Sequence, residues 1–90
     1  MTTTLPHLIT LHPTDGTDQW NWCISVDQAP AIHFRNITHA ATTLSYLLDD
    51  MESGVDITTA EALDFAAMEA IRPADFGTVR YEVIQEAKDA

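Results

Sequence analysis

The spacing of the apolar residues changes partway along the chain, and this change constrains the fold more than any other feature of the sequence. Up to Arg35, apolar residues recur at every second position, which is typical of β-strands. After Asn36 they recur at every third or fourth position, which is typical of amphipathic helices. Alternation returns over residues 79–83. Strands, two helices and a last strand predict an α+β fold, in which a small antiparallel sheet packs on two helices.

The front part of the chain predicts three strands. Alternation over residues 5–11 precedes a turn at Asp15 and Gly16, and the clearest strand follows over residues 20–27. These two strands should pair as an antiparallel hairpin. Residues 28–30 are predicted to form a second turn, and residues 32–35 a third short strand.

The first predicted helix has recognisable ends. Asn36 or Thr38 can cap its start, because a short polar side chain accepts a hydrogen bond from an unpaired N–H of the first turn. Gly54 is placed to end the helix in a left-handed conformation. The predicted inner stripe comprises Ile37, Ala40, Ala41, Leu44, Leu47, Leu48 and Met51.

The second predicted helix begins near Thr58, which has capping-box spacing to Glu61. Pro73 should stop it, because proline cannot continue a helix. Its predicted inner stripe comprises Leu63, Ala66, Ala67, Ala70 and Ile71. Phe65 and Met68 are predicted to widen that stripe.

The charge of the chain is strongly negative and uneven. Fourteen Asp and Glu face four Lys and Arg, which gives a net charge of −10. Residues 49–90 carry eleven of these acids against three basic residues. Such a field repels nucleic acids and anionic membranes and attracts basic protein surfaces. The composition therefore predicts a protein partner with a basic surface, and no direct contact with nucleic acid or membrane.

The predicted partner-binding residues are acidic and lie on or between the two helices. They are Asp49, Asp50, Glu52, Asp56, Glu61, Asp64 and Glu69. Asp15 and Asp18 form a second predicted patch, with Trp20 as its aromatic anchor. The alternative is a solvated face that only keeps the protein soluble. For Trp20 and Trp22 the favoured role is core packing, because both fall on the apolar face of the best strand.

No pattern in the sequence indicates catalysis, a metal or a cofactor. Cys23 is the only cysteine, so neither a disulfide nor a cysteine zinc cluster can form within the chain. The four histidines lack the paired spacing of metal ligands, and the three glycines are isolated. A nucleophilic Cys23 beside a histidine is the alternative to a small apolar filler. We therefore predict a protein that is not an enzyme.

Size and composition predict one domain, residues 1–90, in the cytoplasm. A single cysteine suits a reducing compartment. Residues 1–11 lack the basic and apolar regions of a signal peptide, and no apolar stretch approaches the ~20 residues of a membrane span. A homodimer is compatible with the sequence.

In its size, acidity, hairpin strands and short helices, the chain resembles the small phage-encoded inhibitors of bacterial defence, above all the anti-CRISPR proteins. That family shares no common motif, so the resemblance implies a mechanism and no particular residues. It implies an acidic nucleic-acid mimic in the cytoplasm of the host bacterium, which binds a Cas effector or nuclease and blocks guide RNA or target DNA.

Two other kinds of binding protein fit the same sequence. An immunity protein or antitoxin would neutralise a basic toxin with the same acidic face. A small structural or regulatory subunit would use an apolar sheet edge in place of charge. Salt should weaken the charged contacts far more than the edge contacts.

Overall fold

The fold is an antiparallel sheet with two helices packed on one of its faces. The computed structural model describes residues 7–14, 20–75, 77 and 79–84. The elements are β1 (Ile9–Pro13), β2 (Trp22–Val26), β3 (Ala29–Phe34), α1 (Ile37–Glu52), α2 (Ala60–Glu69), a short 3-10 turn (Pro73–Asp75) and β4 (Tyr81–Val83). The strands lie in the order β1-β2-β3-β4, and all neighbours are antiparallel. The α+β fold expected from the sequence is confirmed.

The turn between β2 and β3 lies earlier than the sequence predicted. Asp27 and Gln28 both have positive φ, 54° and 72°, as a two-residue hairpin turn that matches the twist of the strands requires. The Asp27 carboxylate accepts the N–H of Leu8 at 3.0 Å, which holds the turn against the end of β1. Ala29 and Pro30 are therefore the first residues of β3, so the predicted turn is present but begins one residue before the predicted range of 28–30 and ends at Gln28.

The first strand also differs from its prediction. β1 runs from Ile9 to Pro13, so it ends two residues beyond the alternation over 5–11, of which residues 5 and 6 lie outside the described residues. The Thr14 N–H donates to the Asn21 carbonyl at 3.0 Å, so the two sides of the first hairpin remain close beyond the strands. The predicted turn residues Asp15 and Gly16 lie outside the described residues, as does Asp18.

Both predicted ends of α1 are confirmed. The Asn36 side chain accepts a hydrogen bond from the N–H three residues ahead. Gly54 has φ +93°, and its N–H donates to the Met51 carbonyl at 3.1 Å. The Val55 N–H reaches back to the Asp50 carbonyl at 2.9 Å. Together these bonds form a Schellman motif, which pairs carbonyls that the helix itself leaves free.

The cap of α2 lies one residue later than predicted. The Thr59 hydroxyl accepts the Ala62 N–H at 3.1 Å. Thr58 instead donates its N–H and its hydroxyl to the Asp56 carboxylate, at 3.0 and 2.6 Å. The predicted capping box from Thr58 to Glu61 is therefore wrong, because Asp56 competes for Thr58 through a local turn.

The core lies between the sheet and the two helices. Its larger fully buried members are Ile24, Ile32, Phe34, Leu47, Ile57 and Leu63. Trp22 packs against them, as expected. Phe65 and Met68 do not widen the inner stripe of α2 but are 61% and 53% exposed, because Ala66 and Ala67 occupy the inward positions. On α1, Ile37, Ala41 and Leu48 are likewise exposed rather than inward.

Trp20 lies on the opposite face of the sheet from Trp22, contrary to the prediction. Its ring stacks on His33 with 6.1 Å between centroids, and the Arg35 guanidinium lies 5.6 Å from the ring centre. His33 is paired with Cys23 across the strands, and both alternate with residues that face the helices. Trp20 precedes β2, so strand alternation does not determine its side.

Neither described helix is long and apolar enough to cross a membrane.

Candidate partner-binding surface

A groove lies between the exposed sides of α1 and α2. On α1, residues 46, 49 and 50 share one face because they are three and four positions apart. On α2, residues 65 and 69 are related in the same way. The groove has a volume of about 220 Å³. It is lined by Tyr46, Asp49, Asp50, Phe65, Ala66 and Glu69, which we call the helix groove.

The helix groove has aromatic walls above a small buried residue. Ala66 is only 1% exposed and belongs to the core. Tyr46 is 40% exposed and Phe65 is 61% exposed, so both rings offer apolar surface to a partner. Two large aromatic side chains that border one depression differ from the single apolar residues scattered over most protein surfaces.

The carboxylates of the helix groove are uncompensated. Asp49, Asp50 and Glu69 make no side-chain hydrogen bond or ion pair with any residue that the structure describes. Arg72, the basic residue nearest to Glu69 along the chain, lies on the surface and pairs with Asp75 at 2.9 Å. The groove therefore presents negative charge that no side chain in the described part of the chain neutralises.

The other four predicted acidic residues have different surroundings. Glu52 lies beside Asp49 along a second shallow depression on α1. Glu61 is exposed in the first turn of α2, where its negative charge interacts favourably with the helix dipole and stabilises the helix. Asp56 binds Thr58, as described above. Of the seven predicted carboxylates, the fold thus brings three into the helix groove.

Asp64 faces β4 instead of the groove. It accepts a hydrogen bond of 2.7 Å from the Tyr81 hydroxyl. Burial of the phenol, followed by this hydrogen bond and the negative charge of Asp64, raises the pKa of Tyr81 to about 12. Asp64 therefore holds α2 against the sheet. The second predicted patch, Asp15 and Asp18, lies outside the described residues.

Tyr46 and Phe65 were not among the residues predicted from the sequence to bind a partner. A signal for them exists, because Tyr46 precedes Asp49 and Asp50 by three and four positions, and Phe65 precedes Glu69 by four. An aromatic residue at that spacing from carboxylates lies beside them once the helix forms. The spacing does not show that α1 and α2 pack so that these two helix faces lie side by side.

Another depression, of about 420 Å³, lies at the start of α1 and is distinct from the one beside Glu52. Three of its polar residues already have roles within the fold: Asn36 caps α1, Arg72 pairs with Asp75, and His39 bonds to the Ala67 carbonyl at 2.9 Å. Tyr46 and Glu69 line both this depression and the helix groove.

The face of the sheet turned away from the helices carries Cys23, Ser25 and His12. The Ser25 hydroxyl lies 2.9 Å from Nε2 of His12 and 3.9 Å from the Cys23 sulfur. Cys23 is 2% exposed, and burial raises the pKa of its thiol, so the thiolate that would act as a nucleophile is disfavoured. Among the described residues, no three His, Cys, Asp or Glu side chains are grouped to hold a metal ion.

The helix groove is thus the place where predicted acidic residues, exposed aromatic rings and unpaired charge coincide. A scan against protein-family models finds no match to the chain, and searches of the curated proteins and of the solved structures find none either.

Proposed function

We propose that this protein is a non-enzymatic inhibitor that binds the basic, nucleic-acid-binding surface of a bacterial defence complex through α1 and α2. Its target would be a Cas effector or nuclease, as the resemblance to anti-CRISPR proteins implies. The observation that carries the proposal is the set of carboxylates in the helix groove that pair with none of the described residues, beside exposed aromatic side chains.

The physical basis is competition for the same cations. A surface that binds a nucleic-acid backbone presents Lys and Arg side chains to phosphates. Asp49, Asp50 and Glu69 would meet those cations in place of the phosphates. The net charge of −10 adds a long-range attraction, which raises the rate of encounter and is screened by salt.

The exposed aromatic rings would add affinity that charge alone does not supply. Interface energy is concentrated in buried aromatic and arginine side chains, while charged residues at the rim contribute more to association rate and specificity. Tyr46 and Phe65 line the same groove as the carboxylates of the two helices. A partner that covers this surface would bury both rings and pair the charges around them.

The test uses two double variants that change the net charge equally. Asp50→Lys with Glu69→Lys reverses two carboxylates of the helix groove. Glu86→Lys with Asp89→Lys reverses two carboxylates near the end of the chain that are not among the predicted partner-binding residues. Each protein is used as bait in a bacterial lysate at low and high salt. A recovered partner is then purified, and displacement of its nucleic acid is measured by fluorescence anisotropy.

We expect the unaltered protein to recover a nucleic-acid-binding protein that high salt releases, and to displace its nucleic acid. The groove variant should lose most of this binding, while the control variant should lose little. A salt-resistant partner without a basic surface would contradict the proposal and favour a structural subunit. A basic toxin that binds no nucleic acid would instead favour an immunity protein.

A further inference from the structure

From the composition of the helix groove we infer that it receives arginine side chains of the partner protein. The guanidinium groups would stack on Tyr46 and Phe65 and pair with Asp49, Asp50 and Glu69. This inference rests on the proposed function and deepens it by naming the side-chain chemistry that the groove selects.

The size of the groove indicates a side chain rather than a small-molecule ligand. Pockets that enclose a drug-sized ligand usually measure about 300–1,000 Å³, whereas the helix groove measures about 220 Å³. It is also bordered by a ring that is 61% exposed, so it does not enclose its contents. A long side chain that enters from a partner surface fits these dimensions.

The charge of the groove selects a cationic occupant. An apolar side chain would cover the three carboxylates without pairing them, which is costly. A second copy of this chain is disfavoured, because a symmetric dimer would place the same acidic groove against itself. An anionic lipid surface or a nucleic acid would meet the same repulsion. A basic segment of another protein satisfies both the rings and the carboxylates.

The aromatic walls favour arginine over lysine. The guanidinium group is planar and weakly hydrated, so it stacks on a ring while its N–H groups bind carboxylates at its edge. The ammonium group of lysine is a compact and strongly hydrated charge, and it loses more on leaving water. Within this chain, Arg35 lies over the ring of Trp20 at 5.6 Å in the same kind of contact.

The test compares two labelled peptides of about ten residues, identical except that one carries arginine where the other carries lysine. Binding is measured by fluorescence anisotropy at fixed salt, with the unaltered protein, Phe65→Ala and Met68→Ala. Met68 is the matched control, because it is an exposed apolar residue of α2 that does not line the groove. Thermal unfolding of each variant establishes that it is folded.

We expect the arginine peptide to bind about two- to five-fold more tightly than the lysine peptide. One cation–π contact between exposed groups would give a difference of this size. Phe65→Ala should abolish most of that preference, and Met68→Ala should leave it unchanged. Asp50→Lys with Glu69→Lys should weaken the binding of both peptides. In a titration followed by NMR, the largest shifts should fall on residues of the helix groove.

Equal affinity for the two peptides, or equal effects of Phe65→Ala and Met68→Ala, would overturn the inference. So would undetectable binding of the arginine peptide at millimolar concentration. If the groove double variant still lost its lysate partner, the proposed function would stand without the arginine preference. If the preference held but the recovered partner bound no nucleic acid, the proposed function would fail and the groove assignment would remain.

Discussion

His39 joins the first turn of α1 to the last turn of α2, and replacing it with phenylalanine should destabilise the protein. The ring is 4% exposed, and its Nε2 lies 2.9 Å from the Ala67 carbonyl oxygen. Because a carbonyl only accepts, Nε2 carries the hydrogen, and Nδ1 is the unprotonated nitrogen of a neutral ring. Among the residues that the structure describes, no hydrogen-bond donor reaches Nδ1.

The Ala67 carbonyl needs this donor because it lies where α2 ends. The last carbonyls of a helix have no N–H of their own helix to accept. The following N–H groups are used elsewhere: Ala70 donates to Ala66, and Ile71 donates to Met68, each at 3.1 Å. The imidazole of His39 thus completes the end of α2 from a neighbouring helix.

His39→Phe keeps an aromatic ring in place and removes the donor. The ring contacts of His39 with Phe34 and Tyr81, at 5.0 and 5.6 Å between centroids, can be retained in part. The unpaired buried carbonyl should cost about 1–3 kcal/mol of unfolding free energy. In a domain of this size each kcal/mol lowers Tm by about 4–8 °C. We therefore expect a drop in Tm of at least about 4 °C.

The substitution should also change how stability depends on pH. Burial lowers the pKa of His39, and the hydrogen bond to Ala67 and the charge of Asp75 oppose this only in part. In the unfolded chain the ring takes up a proton near pH 6.5, whereas the folded ring resists it to lower pH. The stabilisation by neutral His39 is therefore complete above about pH 6.5 and is lost as the pH falls below it. In His39→Phe, which has no ring nitrogen to protonate, this loss of stability at low pH should be absent.

Urea unfolding, followed by tryptophan fluorescence at about pH 7.5 and about pH 5.5, measures both effects. The free-energy difference between the unaltered protein and His39→Phe should be largest at the higher pH and should shrink at the lower. His12→Gln serves as control, because His12 is an exposed histidine whose hydrogen bond with Ser25 the glutamine amide can retain. Equal stability of the two proteins at pH 7.5, or a gap that widens at pH 5.5, would refute the reasoning.

Three further predictions test the fold and the chemistry of the buried groups. Tyr81→Phe removes the hydrogen bond to Asp64 and should cost about 1 kcal/mol in urea unfolding. Because the pKa of Tyr81 is raised to about 12, that contribution should persist to about pH 10, where unfolded tyrosine titrates, and vanish as the pH rises towards 12. A difference between the two proteins that is unchanged near pH 12 would contradict this account. Gly54→Ala should cost about 1–2 kcal/mol through backbone strain alone, since φ is +93° and an added Cβ would meet no atom within 4 Å. Thermal unfolding measures that cost, and a variant as stable as the original protein would show that the turn rearranges. Cys23 should react with a thiol reagent only as the protein unfolds, because it is buried and its pKa is raised. Labelling as fast in buffer as in denaturant would reopen the case for a nucleophilic thiol.

The features that were predictable from the sequence depend on residues close together in the chain. The change of period at Asn36 specified strands before it and helices after it, because strand and helix place every second and every third or fourth side chain on one face. The caps at Asn36 and Gly54 were predictable for the same reason, since each acts within one helical turn. The α+β class followed from the order of these elements.

Local competition and one long-range contact explain where the structure departs from the predictions. Thr58 and Thr59 were both able to cap α2, and the choice depended on Asp56, which binds Thr58 first. The turn at Asp27 and Gln28 contains no glycine, although both residues have positive φ. A hydrogen bond from Leu8, nineteen positions away, helps to hold Asp27 there. Such a contact exists only after β1 and β2 have paired.

The net charge and its concentration in residues 49–90 were determined by the sequence alone, because charge depends on composition and not on folding. Which carboxylates act together was decided by the tertiary structure. Asp50 and Glu69 are nineteen positions apart and line one groove only because α1 and α2 pack side by side. The same packing directs Asp64 towards Tyr81 and leaves Phe65 exposed, since a helix that buries Ala66 and Ala67 must turn its neighbouring side chains outward.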